Sequence, residues 1–174
     1  MATNIDGEQV PEESHSKIIQ LGRRLFEDRN YRDALGVYLR LAETRYGAAI
    51  HLRIGWMYEF GMGTDKNECE AEYWYRKAAN TGNVAGFYCI ASMRFRAGQT
   101  DGVKELMEEA AACGYAPALF HLGQMYRFGK GNPVDVVKAY EYYEKAAALG
   151  HVFARRAIAQ RMIQGDSGLS RLPI

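Results

Sequence analysis

The residues best able to act as nucleophiles, metal ligands or proton carriers are three cysteines, Cys69, Cys89 and Cys113, and four histidines, His15, His51, His121 and His151. A cysteine nucleophile needs a base beside it to form the thiolate, and none of the three stands in a motif that supplies one. Zinc would need close ligand pairs such as Cys-x-x-Cys or His-x-x-x-His; neither occurs. The cysteines are odd in number and do not recur at equivalent positions, which points to reduced, buried or half-buried thiols in place of a disulfide framework. Gly61-x-Gly63 and Gly129-x-Gly131 have the start of a phosphate cradle but lack the third glycine, the lysine-serine pair and a preceding strand, so they read as turn glycines. The neighbouring carboxylates Glu68/Glu70 and Glu108/Glu109 fall on solvated helix faces, with no pocket to push two pKa values apart. The sequence therefore assigns no catalytic residue, metal or cofactor, and the chain is not expected to be an enzyme.

The elements that carry these residues form a repeat array. Arg53 to Gly63 (RIGWMYEFGMG) returns as His121 to Gly131 (HLGQMYRFGKG), and Arg76-Lys77-Ala78-Ala79 returns as Glu144-Lys145-Ala146-Ala147, both 68 residues on. A constant offset across two separated blocks marks a duplicated unit. A middle copy lies between them. Ile90-Ala91-Ser92-Met93 stands for Ile54-Gly55-Trp56-Met57, and Glu109-Ala110-Ala111 stands for Lys77-Ala78-Ala79. The changed offset places a four-residue deletion in the middle copy's internal loop, where Gly61 to Lys66 shrinks to about Ala97-Gly98-Gln99.

Each copy reads as two helices at three- and four-residue apolar spacing, the first stopped by a Gly-rich turn and the second by a glycine such as Gly82. Gly55, Ala91 and Gly123 share one position in the first helices, and alanine pairs share one in the second, so neighbouring helices can approach closely. Most of the 12 tyrosines recur at equivalent positions, among them Tyr58 and Tyr126, and Tyr75 and Tyr143, which assigns them to packing. His151 follows a helix-ending glycine and reads as a cap or turn residue.

The run Ala-x-x-x-Leu-Gly-x-Met-Tyr-x-x-Gly-x-Gly, followed by Lys-Ala-x-x-(Tyr/Trp)-Tyr-x-Lys-Ala-Ala-x-x-Gly, resembles the SEL-one-like repeat, a relative of the tetratricopeptide repeat. Copies from about Ala48 to Gly82 and Ala116 to Gly150 carry it nearly throughout. The middle copy, Val84 to Gly114, departs by its shorter loop and by Arg94 where the others have tyrosine. The resemblance implies an all-α, right-handed solenoid of about four hairpins plus a half-repeat. Its copies would cover 17–47, 48–83, 84–115, 116–151 and 152–165, within a single domain over 16–165. Flexible segments are expected at 1–15 and 166–174. The first copy resembles an ordinary tetratricopeptide hairpin turning at Asp28-Arg29-Asn30, and the last a lone first helix with Ala159 at the small position.

In the related tetratricopeptide family the first helices line a concave face. Carried over, this gives Arg23 and Phe26, Trp56 and Glu59, Ser92 and Phe95, Gln124 and Arg127, then Arg156 and Gln160 as partner-binding residues. Ile19, Leu52, Tyr88, Phe120 and Ile163 occupy neighbouring positions open to either core or contact. The function implied is a non-catalytic scaffold holding a peptide or protein segment, in settings such as bacterial signalling, envelope or polysaccharide pathways. Two alternatives stand beside it: a self-associating module using Ile163, Leu169 and Leu172, and a small-ligand-binding or hydrolytic relative.

Composition narrows the partners. Charged residues make up 25% of the chain with a formal net charge of +1, against the clearly basic balance of nucleic-acid-binding domains, so no nucleic acid is expected. No apolar run is long enough to span a bilayer and the acidic N-terminus lacks a signal-peptide core. A cytoplasmic location without membrane insertion is the expectation.

Overall fold

The computed structural model describes residues 12–44 and 47–164. Among these the chain is all α: α1 (Glu12–Glu27), α2 (Tyr31–Ala42), a 3-10 turn (Gly47–Ala49), α3 (His51–Phe60), α4 (Glu68–Asn80), α5 (Ala85–Arg96), α6 (Val103–Ala112), α7 (Ala116–Phe128), α8 (Val136–Ala148) and α9 (Val152–Gln164). The helices follow the hairpin order of a helical-repeat solenoid. They fall into two compact units, Met1–Met93 and Arg94–Ile174. In the first unit α1 pairs with α2 and α3 with α4; in the second, α7 lies against both α6 and α8, and α8 against α9.

The same local devices build both well-matched hairpins. Gly61 and Gly129 end α3 and α7 in the left-handed region (φ 67° and 68°), and their N–H groups bond back to the carbonyls of Met57 and Met125. A side chain would be strained at that φ, so glycine is required there. The loops close by equivalent bonds, Asn67 N–H to the Tyr58 carbonyl and Asp135 N–H to the Tyr126 carbonyl, both 2.9 Å. Asn67 and Asp135 then cap α4 and α8 by accepting from the N–H groups of Glu70 (3.1 Å) and Lys138 (2.9 Å). His151 caps α9, its Nδ1 accepting from the Ala154 N–H at 3.3 Å.

Three departures from the expected boundaries have local causes. Helix α1 begins at Glu12, so its first turn falls within the 1–15 lead; 1–11 and 165–174 lie outside the described residues. The middle copy's deletion does not come wholly from its loop. Residues 97–102 form a linker nearly as long as 61–67, and the rest is taken from the first turn of α6, which starts at Val103 behind Gly102 with no side-chain cap. Cys69 and Cys113 are exposed and only Cys89 is half-buried, all three as free thiols. Cys69 sits in the solvated first turn of α4 and Cys113 at the end of α6, positions the helical period does not turn inward.

Packing within the hairpins rests on one recurring contact. A Cβ placed on Gly22 would stand 2.6 Å from the Tyr38 ring; on Gly55, 2.6 Å from the Tyr75 ring; on Gly123, 2.5 Å from the Tyr143 ring. Each of these tyrosines is almost wholly buried. The first-helix glycine is thus the seat for a second-helix tyrosine, and the core of each unit gathers round it: Leu35, Ile54, Met57 and Trp74 in the first, Leu119, Tyr140 and Ala154 in the second.

Glycine costs helix stability relative to alanine by roughly 0.5–1 kcal/mol, whereas overfilling a packed site costs about 1–3 kcal/mol. Gly36, inside α2, has nothing within 4 Å of a built Cβ. Gly36→Ala is therefore expected to stabilise by ~0.5–1 kcal/mol and Gly123→Ala to destabilise by ~1–2 kcal/mol, as read from urea denaturation midpoints.

Candidate functional site

Each unit presents an apolar recess beside its first helices. In the first unit a cavity of about 430 Å³ is lined by Phe26, Leu52, Arg53, Trp56, Tyr75 and Cys89. The aromatic wall is continuous: the Phe26 ring lies 5.8 Å from Trp56 and 5.1 Å from Tyr31, and Trp56 lies 5.2 Å from Phe60. Trp56 is 38% exposed and Phe60 52%. Arg53 stands over the Phe26 ring at 5.1 Å and donates to the Tyr38 hydroxyl at 3.3 Å, so its guanidinium is held at the rim by ring and phenol together.

In the second unit a cavity of about 120 Å³ is lined by Phe95, Met107, His121, Gln124, Met125 and Phe128, with Val103 and Lys130 completing it. It adjoins a wider recess of about 340 Å³, to which Thr100, Lys104 and Gly131 contribute. Lys130 Nζ lies 5.1 Å over the Phe95 ring. His121 has its pKa lowered, first by burial and then by the nearby charges of His151 and Arg96. His151, stacked on Phe120 at 4.7 Å, is also held low by burial. The inner wall is thus uncharged at neutral pH, and the cationic group sits at the mouth.

The residues chosen from the repeat pattern separate on this geometry. Phe26 and Trp56 meet in the first cavity, together with Leu52. Phe95 and Gln124 meet in the second. Arg23, Arg127, Arg156 and Gln160 are exposed on their helices. Glu59 and Ser92 are buried instead, at 5% and 6% exposure. Glu59 is turned inward by the Tyr75 hydroxyl, which donates to its Oε2 at 2.6 Å. Arg127, at the equivalent position, stands near Tyr143, whose phenol is raised by burial and partly lowered again by that guanidinium. Ile19, Leu52, Tyr88 and Phe120 are half-buried and Ile163 is 84% exposed; Leu169 and Leu172 lie outside the described residues.

Sequence reasoning missed Arg53, Met107, His121, Met125, Phe128 and Lys130. One signal was available: Phe60 and Phe128 recur at the same place, yet both are more than half exposed, so recurrence there was not a mark of the core. Among the described residues no group of three or more His, Cys, Asp or Glu is placed to hold a metal ion, and no helix is long and apolar enough to cross a membrane.

The Sel1 repeat model matches residues 48–83 and 116–151, the two hairpins built alike. A Sel1 repeat protein from Oxalobacter formigenes superimposes with a TM-score of 0.68 at 25% identity, over 86% of this chain and 62% of that one. The chain is a Sel1-like repeat protein. Two further structures share the fold. One is a protective antigen present in uropathogenic Escherichia coli strains, displaying an SLR fold (TM-score 0.72, 23% identity, 90% of this chain and 37% of that one). The other is an immunity protein from Pseudomonas aeruginosa (0.61, 20%, 92% and 62%). The chain spans less than two thirds of each. Sel1 repeat proteins are generally protein-interaction scaffolds.

The two histidines give the second unit a pH dependence with a defined sign. A histidine whose pKa in the fold is below its unfolded value of about 6.5 binds fewer protons folded than unfolded, so unfolding takes up protons. Stability is then full above pH 6.5 and declines as pH falls below it toward the folded pKa. Denaturation midpoints are expected to fall between about pH 7 and 5, and His121→Gln is expected to flatten that slope.

Proposed function

We propose that this Sel1-like repeat protein is a non-catalytic scaffold that holds a segment of a partner protein along the first helices of its hairpins. The observation that carries this reading is the convergence of repeat-equivalent positions on apolar recesses, Phe26 with Trp56 in one unit and Phe95 with Gln124 in the other. Packing within the hairpins does not use up these side chains. Trp56 keeps 38% of its surface exposed while fully buried Tyr75 fills the frame beside it. Large, partly exposed aromatics backed by a packed core are the residues on which binding energy concentrates.

The surroundings are suited to peptide capture. Arg53 and Lys130, each placed over a ring, add a fixed cation at each rim. Neither recess gathers a nucleophile, base and oxyanion donors, so no catalytic step is assigned. A bacterial adaptor role accords with the solved structures that share the fold, a protective antigen and an immunity protein, both bacterial. The half-buried side of the first helices, and not the second-helix side, is the proposed contact.

The test is capture of partners from native lysate by the immobilised chain, followed by titration of the captured partner against Trp56→Ala and Phe95→Ala. Loss of a central aromatic anchor costs about 2 kcal/mol or more, so each variant is expected to weaken binding by roughly 30-fold while keeping the helical circular-dichroism spectrum. Affinity unchanged in both variants would place the contact elsewhere.

A further inference from the structure

The small net charge of this chain conceals a separation of charge between helices. In the second unit α7 and α9 carry Arg127, Arg155, Arg156 and Arg161 and no aspartate or glutamate. Helices α6 and α8 carry Glu105, Glu108, Glu109, Glu141 and Glu144. Helices α7 and α9 are therefore basic and the second helices acidic on balance; of these, α7 and α6 line the recess.

Rings seat cations on both sets of helices, since on α8 Lys138 lies over Tyr126 at 4.4 Å and Lys145 over Tyr142 at 5.6 Å. On α6, Lys104 meets Glu108 at 3.7 Å one turn away, the usual pairing of a solvated helix face. Arg127, Lys130, Arg156 and Arg161 have no carboxylate within ion-pair distance among the described residues. Three of them lie over aromatic faces instead: Lys130 over Phe95 at 5.1 Å, Arg127 over Phe128 at 5.5 Å, and Arg161 over Tyr140 at 4.1 Å. A ring beneath a cation orders the side chain without neutralising its charge. The charge is left for something else, and the entropy of fixing it is already met before binding.

Of these cations Lys130 lines the recess. Phe95, Met107, Met125 and Phe128 wall a cavity whose size suits one bulky side chain, with Lys130 at its mouth. We infer that the segment held by the second unit is acidic, with a leucine-, methionine- or phenylalanine-sized side chain entering between Phe95, Met125 and Phe128 and neighbouring carboxylates facing Lys130 and Arg127. This deepens the scaffold reading and rests on it. A basic segment would leave its own charges and those of α7 unpaired, and a wholly apolar one would desolvate Lys130 without compensation.

The experiment uses the full chain and three short dye-labelled peptides that alternate leucine with glutamate, glutamine or lysine, followed by fluorescence anisotropy and by methyl NMR of Met125, whose terminal carbon lies beside Gly131. The glutamate-leucine peptide is expected to bind about 10-fold more tightly than the glutamine-leucine peptide, to lose affinity as salt rises, and to shift the Met125 methyl. Lys130→Gln is expected to remove most of that preference without changing the fold, since Lys130 is exposed and in a loop. Arg127→Lys, which keeps the charge, is expected to retain it. Equal binding of the glutamate and glutamine peptides, both shifting Met125, would overturn the acidic preference and leave the scaffold reading intact. No shift of Met125 by any of the three would overturn both for this unit.

Discussion

A tyrosine ring lying on a helix where a Cβ would otherwise stand is the contact on which the rest of the structure depends. It is made three times, by Tyr38 on Gly22, Tyr75 on Gly55 and Tyr143 on Gly123. A glycine seat lets the large ring approach the first helix without forcing the hairpin apart, and the ring then fills the space that would otherwise remain as a void. The separation of the two helices in these three hairpins follows from that fit, and so does the placing of the core residues on either side. The glycine gives up helix propensity at this one position, which the buried ring more than offsets.

The ring also carries a hydroxyl, and its destination connects the frame to the surface. Tyr38 is met by Arg53, Tyr75 by Glu59 and Tyr143 by Arg127. The frame contact is constant while its polar partner changes, because an oxygen at the end of a fixed ring can be satisfied from several directions and by donor or acceptor. Glu59 is thereby drawn into the core, whereas Arg127, at the equivalent position, stays exposed. The aromatics that remain outside the frame, Phe26 and Trp56 in one unit and Phe95 and Phe128 in the other, form the walls of the recesses. The frame rings stand on second helices and these aromatics on first helices, with Tyr75 touching both frame and recess.

Much of this could be read from the residues alone, for a physical reason. Repetition exposes the frame: a 68-residue offset that holds across Gly55, Tyr58, Gly61, Tyr75 and the alanine pair can only come from a repeated packing unit. The turn at Asp28-Arg29-Asn30 and the capping role of His151 were legible because helix ends have local chemistry. What was hidden depended on partners distant in sequence. The burial of Glu59 comes from a phenol sixteen residues away. The shortening of α6 was taken for a loop deletion because a missing first turn and a missing loop look the same without a cap residue to mark the boundary. Cys69 and Cys113 were expected inside since cysteine is usually buried, yet their places at helix ends turn them out. The recesses could be anticipated only as far as Phe26, Trp56, Phe95 and Gln124, since Met107, Met125 and Lys130 join them through folding and not through spacing.

The glycine-tyrosine seat is tested most directly by a double-mutant cycle on Gly55 and Tyr75, with unfolding free energies from urea denaturation. In the wild-type background Gly55→Ala is expected to destabilise, because its methyl enters the Tyr75 ring. In the Tyr75→Leu background the same methyl finds room, and Gly55→Ala is expected to become neutral or stabilising, a coupling of about 1–2 kcal/mol. A cost that is the same in both backgrounds would contradict the account, since the glycine would then be required by something other than the ring that lies on it.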